Sequence, residues 1–191
     1  MNICVYGAAS NEIDNSYITA GEKLGQELAK RGHTLIFGAG ASGLMGAVVR
    51  GVDRENGKSV GIAPNFFNID GILYDNCSEY IYTDTMRERK MLMEERADAF
   101  VMTPGGIGTF EEFFEILTLR SLDRHKKPIA ILNTNGYFDS LLEFLSFGVK
   151  ENFLKQENLE LYLVSDDVTD IINYLENYSD TEEKITKTRF V

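Results

Sequence analysis

One stretch of the chain joins a glycine-rich loop to a carboxylate. The loop spans residues 104–109, with the sequence PGGIGT, and Glu112 follows its last residue by three positions. Glycine lets a ligand approach the backbone closely, and the start of the next helix offers N–H groups and a positive dipole end to an anion. The pattern therefore predicts a phosphate on this loop, with an acid close to the group that the phosphate carries.

Glu112 has two interpretations. Thr109 and Glu112 have the spacing of a capping box, in which each side chain accepts a hydrogen bond from the other residue's backbone N–H. However, Glu111, Glu112 and Glu115 crowd the first turns of a helix whose N-terminus is predicted to hold a phosphate. A phosphate repels nearby carboxylates, so a carboxylate at this position is expected to have a function of its own. We therefore favour a functional Glu112 that reaches the ribose of a bound nucleotide.

A second charged cluster is the sequence MRERK at residues 86–90. Three cations within four positions are unusual in a chain with a formal net charge of -11. Arginine is suited to bidentate contact with phosphate or carboxylate groups. The alternative is a solvated helix face, on which Lys90 pairs with Glu94 and a capping box joins Thr85 to Glu88.

The elements that position these residues alternate regularly along the chain. Short β-branched and aromatic runs predict strands, and apolar residues at helical spacing predict helices between them. The predicted strands cover residues 2–6, 34–37, 59–62, 79–83, 99–102, 129–132 and 161–164. The predicted helices cover residues 18–31, 44–56, 86–97, 110–122, 138–152 and 168–177, and residues 64–76 are predicted as a long loop.

This alternation predicts the fold class. Right-handed crossovers between successive strands produce a doubly wound parallel sheet, a Rossmann-like α/β architecture with helices on both faces. We expect a single domain over residues 1–178 and a polar C-terminal tail over residues 179–191. The helix at 138–152 is apolar around most of its circumference, and it is either a central helix of the monomer or a dimer interface.

Two more loops of small residues end predicted strands at the same edge of the sheet. They are residues 7–10, with the sequence GAAS, and residues 38–43, with the sequence GAGASG. Ligands of open parallel sheets bind at the carboxyl ends of the strands. The second loop has the dinucleotide spacing, but the next strand ends in Ile62-Ala63-Pro64 without an acid for ribose hydroxyls. The three loops therefore favour a phosphate-bearing ligand and give NAD little support.

Composition restricts the classes of function. The chain is 43% hydrophobic and 26% charged, which is typical of soluble globular proteins, and its acidity argues against nucleic acid and anionic membranes. Cys4 and Cys77 lack the spacing of a disulfide pair, so we expect free thiols. No apolar stretch has the length of a membrane span, and we expect a cytoplasmic location. Neither His33 nor His125 has metal-ligand spacing, and we expect no metal and no cofactor.

The sequences MRERK at 86–90 and PGGIGTFEE at 104–112 together resemble the paired signatures of the LOG family. These are the cytokinin riboside 5'-monophosphate phosphoribohydrolases, often mislabelled lysine decarboxylases, and the resemblance extends to about residue 167. It implies a homodimer that hydrolyses AMP or an N6-substituted AMP to the free base and ribose 5-phosphate. It also implies that Arg89 and Glu112 are the catalytic pair. The substrate-binding residues that it implies are Ser10, Arg87, Lys90, Gly105, Gly106, Gly108 and Thr109.

Two other functions could use the same residues. A lysine decarboxylase needs pyridoxal phosphate on a lysine, but the nearest candidate, Lys90, lies beside two arginines without supporting cofactor context. A nucleotide- or cofactor-binding carrier could use the same loops without turnover. The coexistence of Arg89 and Glu112 favours the hydrolase.

Overall fold

The computed structural model describes residues 1–179, in which strands and helices alternate. The strands are β1 (Asn2–Tyr6), β2 (Thr34–Phe37), β3 (Lys58–Pro64), β4 (Glu79–Thr83), β5 (Ala99–Met102), β6 (Ile129–Leu132) and β7 (Tyr162–Ser165). The helices are α1 (Asn15–Lys30), α2 (Gly43–Arg54), α3 (Met86–Arg96), α4 (Ile107–Ser121), α5 (Asp139–Lys150) and α6 (Val168–Asn177). The predicted tail, apart from Ser179, lies outside the described residues.

The seven strands form one parallel sheet in the order β4-β3-β2-β1-β5-β6-β7. The chain builds outward from β1 to β4, and α3 then returns it to β5, on the other side of β1. The prediction of a doubly wound, Rossmann-like α/β fold is confirmed. The strand order reverses between β1 and β5, and at such a switch point two diverging loops leave a crevice beyond the carboxyl ends of the strands.

Three helices cover each face of the sheet. On one face, Leu24 of α1, Val48 of α2 and Ile171 of α6 belong to one buried cluster. On the other face, α3 and α4 contribute Met93 and Phe113 to a second cluster. Because the strands are covered on both faces, they read as nearly continuous apolar runs in the sequence.

Two helices differ from the sequence-based prediction. Helix α4 begins at Ile107 rather than at residue 110, because the extended backbone at Gly106 (φ -95°, ψ -155°) already serves as its N-cap. Within residues 139–150 of α5, Leu145 alone is buried, while Phe144 and Phe147 are 68% and 54% exposed. The interpretation of α5 as a central helix of the monomer is therefore wrong, and the dimer interface stays a prediction.

The connection from β3 to β4 differs in kind from the others. Strand β3 continues to Pro64, and residues 65–78 then contain one short 3-10 helix, Asn65–Phe67, in place of an α-helix. An isolated antiparallel bridge joins Gly40 to Leu73, so this connection lies across the end of the sheet. In the part of the chain that the structure describes, we find no helix long and apolar enough to cross a membrane.

Candidate active site

A cavity with a volume of about 630 Å³ lies at the switch point of the sheet. The loops after β1, β2 and β5 form its floor, and helix α3 and the β3–β4 connection supply its remaining walls. Three of the predicted substrate-binding positions on the β5 loop line it, namely Gly106, Gly108 and Thr109, and so does the exposed residue Ser10. The three glycine loops predicted at one edge therefore meet at one cavity.

The N-terminus of α4 is open toward this cavity. Within residues 1–179, no side chain caps it, and a Cβ atom added at Gly106 or Gly108 would meet no atom within 4 Å. Gly105 differs, because its Cβ would lie 2.1 Å from Thr109 Oγ1 and the residue is buried. Gly105 therefore leaves room for the Thr109 side chain, while the next residues leave the first helical N–H groups accessible to an anion.

The capping-box interpretation of Glu112 is wrong. Thr109 is the third residue of α4 rather than its N-cap, so its hydroxyl stands too far along the helix for that role. The Glu112 side chain instead faces the cavity and pairs with Arg89, with 3.3 Å between Glu112 Oε1 and Arg89 Nη2. The two side chains are 12% and 10% exposed, so the pair is shielded from most solvent.

Arg89 is held in place from two sides. Its Nε donates a hydrogen bond of 3.2 Å to the carbonyl oxygen of Ile62 at the end of β3. On the other side, a Cβ atom at Gly38 would lie 2.1 Å from Arg89 Nη2, so only glycine leaves room for the guanidinium there. This role of Gly38 could not be predicted from the sequence, because 51 positions separate it from Arg89 and the contact exists only in the folded sheet.

Burial raises the pKa of Glu112 to about 7, and the Arg89 guanidinium limits this rise. An acid with a pKa near neutral pH exists in both protonation states there, so it can accept a proton and return it. Burial also raises the pKa of Tyr6, which lies on the cavity floor beside the pair, and that of Cys4 to about 12. Glu112 is therefore the group at this site that changes charge near pH 7.

Arg87 and Lys90 do not lie with the glycine loops. They line a neighbouring cavity of about 330 Å³, which shares Glu112 and Tyr6 with the larger one. Successive residues of a helix point about 100° apart, so the neighbours of Arg89 cannot share its direction. Lys90 also pairs with carboxylates of α4, 2.9 Å from Glu115, rather than with Glu94.

The start of α3 has the capping box that was predicted as part of the alternative interpretation of residues 86–90. Thr85 Oγ1 accepts a hydrogen bond of 3.2 Å from the backbone N–H of Glu88, and the Glu88 carboxylate accepts one of 3.1 Å from the backbone N–H of Thr85. The predicted capping box is confirmed here. It fixes the first turn of the helix that presents Arg89 to the cavity.

The glycine loop after β2 is closed by the protein itself. Gly43 N donates to Asn11 Oδ1 over 2.8 Å, and Met45 N donates to the carbonyl oxygen of Ala8 over 3.0 Å. Gly43 has a positive φ of 61°, and a Cβ there would approach the Ala8 and Ser10 carbonyl oxygens to 2.6 Å. This loop therefore packs against the β1 loop. The N-terminus of α2 consequently leaves fewer backbone N–H groups free for an anion than the N-terminus of α4 does.

Sequence reasoning missed the apolar part of the cavity. Met45, Met86 and Met93 line it, together with Phe67 and Leu73 of the β3–β4 connection. Their residue types are also those of an ordinary core, so only their position identifies them. Among residues 1–179, we find no group of three or more His, Cys, Asp or Glu side chains placed to hold a metal ion.

The fold and the cavity define a Rossmann-like α/β protein with a preformed site at its switch point. A family model described as "Possible lysine decarboxylase" matches residues 45–175. Relatives that match over nearly the whole chain are named cytokinin riboside 5'-monophosphate phosphoribohydrolases. The chain belongs to this family, the LOG family, as its two signatures predicted.

Two of these relatives come from plants. A probable cytokinin riboside 5'-monophosphate phosphoribohydrolase of Oryza sativa subsp. japonica is 36% identical over 176 residues, covering 92% of this chain and 72% of the relative. A cytokinin riboside 5'-monophosphate phosphoribohydrolase of Arabidopsis thaliana is 33% identical over 183 residues, covering 96% of this chain and 85% of the relative. Membership of a family of enzymes supports enzymatic activity in this chain.

Solved structures with the same fold include molybdenum cofactor proteins. The molybdenum cofactor binding protein of Rippkaea orientalis aligns with a TM-score of 0.71 at 19% identity, over 92% of this chain and 94% of that one. The molybdenum cofactor carrier protein of Chlamydomonas reinhardtii aligns with a TM-score of 0.69 at 20% identity, over 92% and 95%. At these identities the likeness concerns the fold alone.

Proposed function

We propose that this protein hydrolyses the N-glycosidic bond of a nucleoside 5'-monophosphate, AMP or an N6-substituted AMP, to the free base and ribose 5-phosphate. One observation carries the proposal: the buried pair of Arg89 and Glu112 lies in the same cavity as the uncapped N-terminus of α4. The names of the curated relatives support the same reaction. The substrate-binding roles of Ser10, Gly106 and Thr109 follow from this proposal.

The phosphate binds first, at the start of α4. The backbone N–H groups of the first helical turn donate to its oxygens, and the helix dipole stabilises its charge. Glu112 lies one turn further along α4 than Gly108, so a phosphate on the loop leaves the ribose close to the acid. Binding through the phosphate therefore places the anomeric carbon beside Glu112 without a separate ribose loop.

Hydrolysis then exchanges two bonds at the anomeric carbon. A water oxygen attacks C1' while the bond from C1' to the base nitrogen breaks, and ionised Glu112 accepts a proton from the water. The same carboxylate stabilises the positive charge that develops on the ribose. The departing base then takes up a proton and Glu112 releases the one that it accepted, so a neutral base and ribose 5-phosphate leave and the carboxylate is restored. Arg89 acts through Glu112, because its guanidinium favours the ionised carboxylate.

The test is to incubate the purified protein with AMP and to separate the products by chromatography. We expect adenine and ribose 5-phosphate in equal amounts. AMP that binds and is recovered intact would instead favour a nucleotide- or cofactor-binding carrier. Glu111→Gln is a matched control, since Glu111 is adjacent in sequence but contacts Lys90 outside the glycine-loop cavity, and it should retain activity.

We also propose that the protein is a homodimer that assembles through α4 and α5. Phe144 and Phe147 of α5 are mostly exposed, Phe114 of α4 is 36% exposed, and Phe153 just after α5 is 87% exposed. Exposed apolar residues on adjoining elements are typical of subunit interfaces. Light scattering should give the mass of a dimer, and Phe144→Glu with Phe147→Glu should give that of a monomer. A monomeric unmodified chain would contradict the proposal.

A further inference from the structure

The chain segment 65–73, called the strap here, replaces a crossover helix between β3 and β4. It begins with the 3-10 helix Asn65–Phe67 and ends at the antiparallel bridge between Gly40 and Leu73. Ala41 N donates to the carbonyl oxygen of Ile72 over 3.0 Å, so the strap lies directly on the loop after β2. It therefore crosses the edge of the sheet at which ligands of this fold bind.

The strap is fastened at its two ends. At the first end, Asn65 Nδ2 donates to Asp84 Oδ1 over 3.0 Å. Just beyond the other end, the Tyr74 hydroxyl donates to Asp53 Oδ2 of α2 over 2.8 Å. Between these contacts, Gly71 has a positive φ of 81° with open space around its Cβ position. The ends therefore fix where the strap lies, while its centre has room to adjust.

The cavity side of the strap is apolar. Phe67, Ile72 and Leu73 line the cavity, although Ile72 is 40% exposed. Ile69, on the same strap, is 59% exposed and does not line the cavity. Partly exposed apolar side chains that face a cavity are typical of a ligand-binding wall.

The strand order sets the distance between the strap and the proposed phosphate position. The α4 N-terminus follows β5, and the strap lies over the ends of β2 and β3, two to three strands away. Neighbouring strands lie about 4.8 Å apart, so the two ends of the site are separated by roughly 10–15 Å. A ligand that fills the site is therefore charged at one end and apolar at the other.

The methionines extend the apolar wall toward the catalytic pair. A Cβ at Gly38 would lie 3.3 Å from Met45 Sδ and 2.1 Å from Arg89 Nη2, so these two side chains meet over Gly38. Met45 Cε also approaches the Cβ position of Gly40, to which Leu73 is bridged. A continuous path therefore runs from Arg89 past Met45 to the strap. Methionine adapts its shape to apolar groups of different size.

We infer that the strap determines the base specificity of the site, with Ile72 and Leu73 packing against the nucleobase and any apolar group on its exocyclic nitrogen. This inference rests on the proposed function, because it takes the phosphate to lie at α4. The strap does not contact the bond that is cleaved, which we place beside Glu112. Its residues therefore act on selectivity between substrates rather than on the chemical step.

The experiment compares two isoleucines of the same strap. Ile72→Ala removes a side chain that lines the cavity, and Ile69→Ala removes one that does not. For each variant, kcat/KM is measured with AMP and with N6-isopentenyl-AMP. We expect Ile72→Ala to lower the ratio of kcat/KM for the substituted over the unsubstituted nucleotide about tenfold, the scale of lost methylene contacts. Ile69→Ala should leave this ratio within about twofold, and Leu73→Ala should behave like Ile72→Ala.

Each outcome decides the inference. A loss that is equal for the two substrates in Ile72→Ala and Leu73→Ala, or a change as large in Ile69→Ala, overturns it. If the unmodified chain turns over neither nucleotide, the proposed hydrolase fails, and the dissociation constants of the same two nucleotides replace kcat/KM. An unchanged ratio of these constants in Ile72→Ala then overturns the strap inference separately. Circular dichroism checks that the variants remain folded.

Discussion

The two glycine loops at 38–43 and 104–109 look alike in sequence but differ in the folded protein. Each follows a buried strand and opens a helix at the same edge of the sheet. In the first loop, the N–H of Gly43 is bonded to Asn11, and a Cβ atom at Gly43 would collide with carbonyl oxygens of the β1 loop. In the second loop, Gly106 and Gly108 face open space.

This difference shows what glycine contributes at each place. In the loop after β2, glycine lets protein approach protein, including the Arg89 guanidinium that lies against Gly38. In the loop after β5, glycine leaves backbone N–H groups accessible to a ligand. A count of glycines identifies the edge of the sheet that carries the site, and the contacts distinguish the packed loop from the open one.

The largest expected effect concerns the packed loop. Gly43→Ala should lower the free energy of unfolding by about 3 kcal/mol, since it adds a left-handed non-glycine residue and a backbone collision. Denaturant unfolding measures the loss. A change below about 1 kcal/mol would show that the two loops do not differ as described.

The next effect concerns the acid beside the open loop. Glu112→Gln should reduce kcat by about a hundredfold or more, because the amide cannot accept the proton of the attacking water. The dissociation constant of AMP should change little, since the phosphate binds at the N-terminus of α4. Steady-state kinetics and calorimetry measure the two quantities. Unaltered turnover would remove Glu112 from the mechanism.

A substitution in the open loop should have the opposite effect on stability to Gly43→Ala. Gly108→Ala should leave stability unchanged or raise it by up to about 1 kcal/mol, because alanine favours the helix. The added methyl group lies where we place the phosphate, so we expect the dissociation constant of AMP to rise about tenfold, or about 1.4 kcal/mol. Equal affinity in the variant and the unmodified chain would move the phosphate away from α4.

The smallest effect appears near neutral pH. Because burial raises the pKa of Glu112 to about 7, kcat/KM should reach half its plateau near pH 7 and fall below it as the acid becomes protonated. The neutral form is favoured in the folded state, so Glu112 contributes stability at low pH that is lost as pH rises through about 7.

Comparison with Glu112→Gln separates this effect from other titrations. The variant should gain stability relative to the unmodified chain as pH rises from the ordinary pKa of glutamate to about 7, and the difference should level off above that pH. Thermal unfolding at several pH values measures the difference. If the difference between the two chains does not depend on pH, Glu112 does not have a raised pKa in the folded protein.

The sequence was informative where the signals are local. Strand and helix periodicity predicted the parallel sheet, and the capping box of Thr85 and Glu88 was predicted from spacing alone. The start of α4 was missed because Gly106 serves as its N-cap through backbone conformation rather than through a side chain. The placement of Lys90 was missed because its carboxylate partners lie on another helix.

By itself, the sequence determined the fold class, the edge of the sheet that carries the site and the family to which the chain belongs. These follow from residue types at short spacing, whose effects act within a strand, a turn or a helix. Only the tertiary structure decided that Arg89 contacts Glu112, that one glycine loop is packed and the other open, and that an apolar strap faces the cavity. Such contacts join residues far apart in the chain, and the burial that changes a pKa exists only once the elements have packed together.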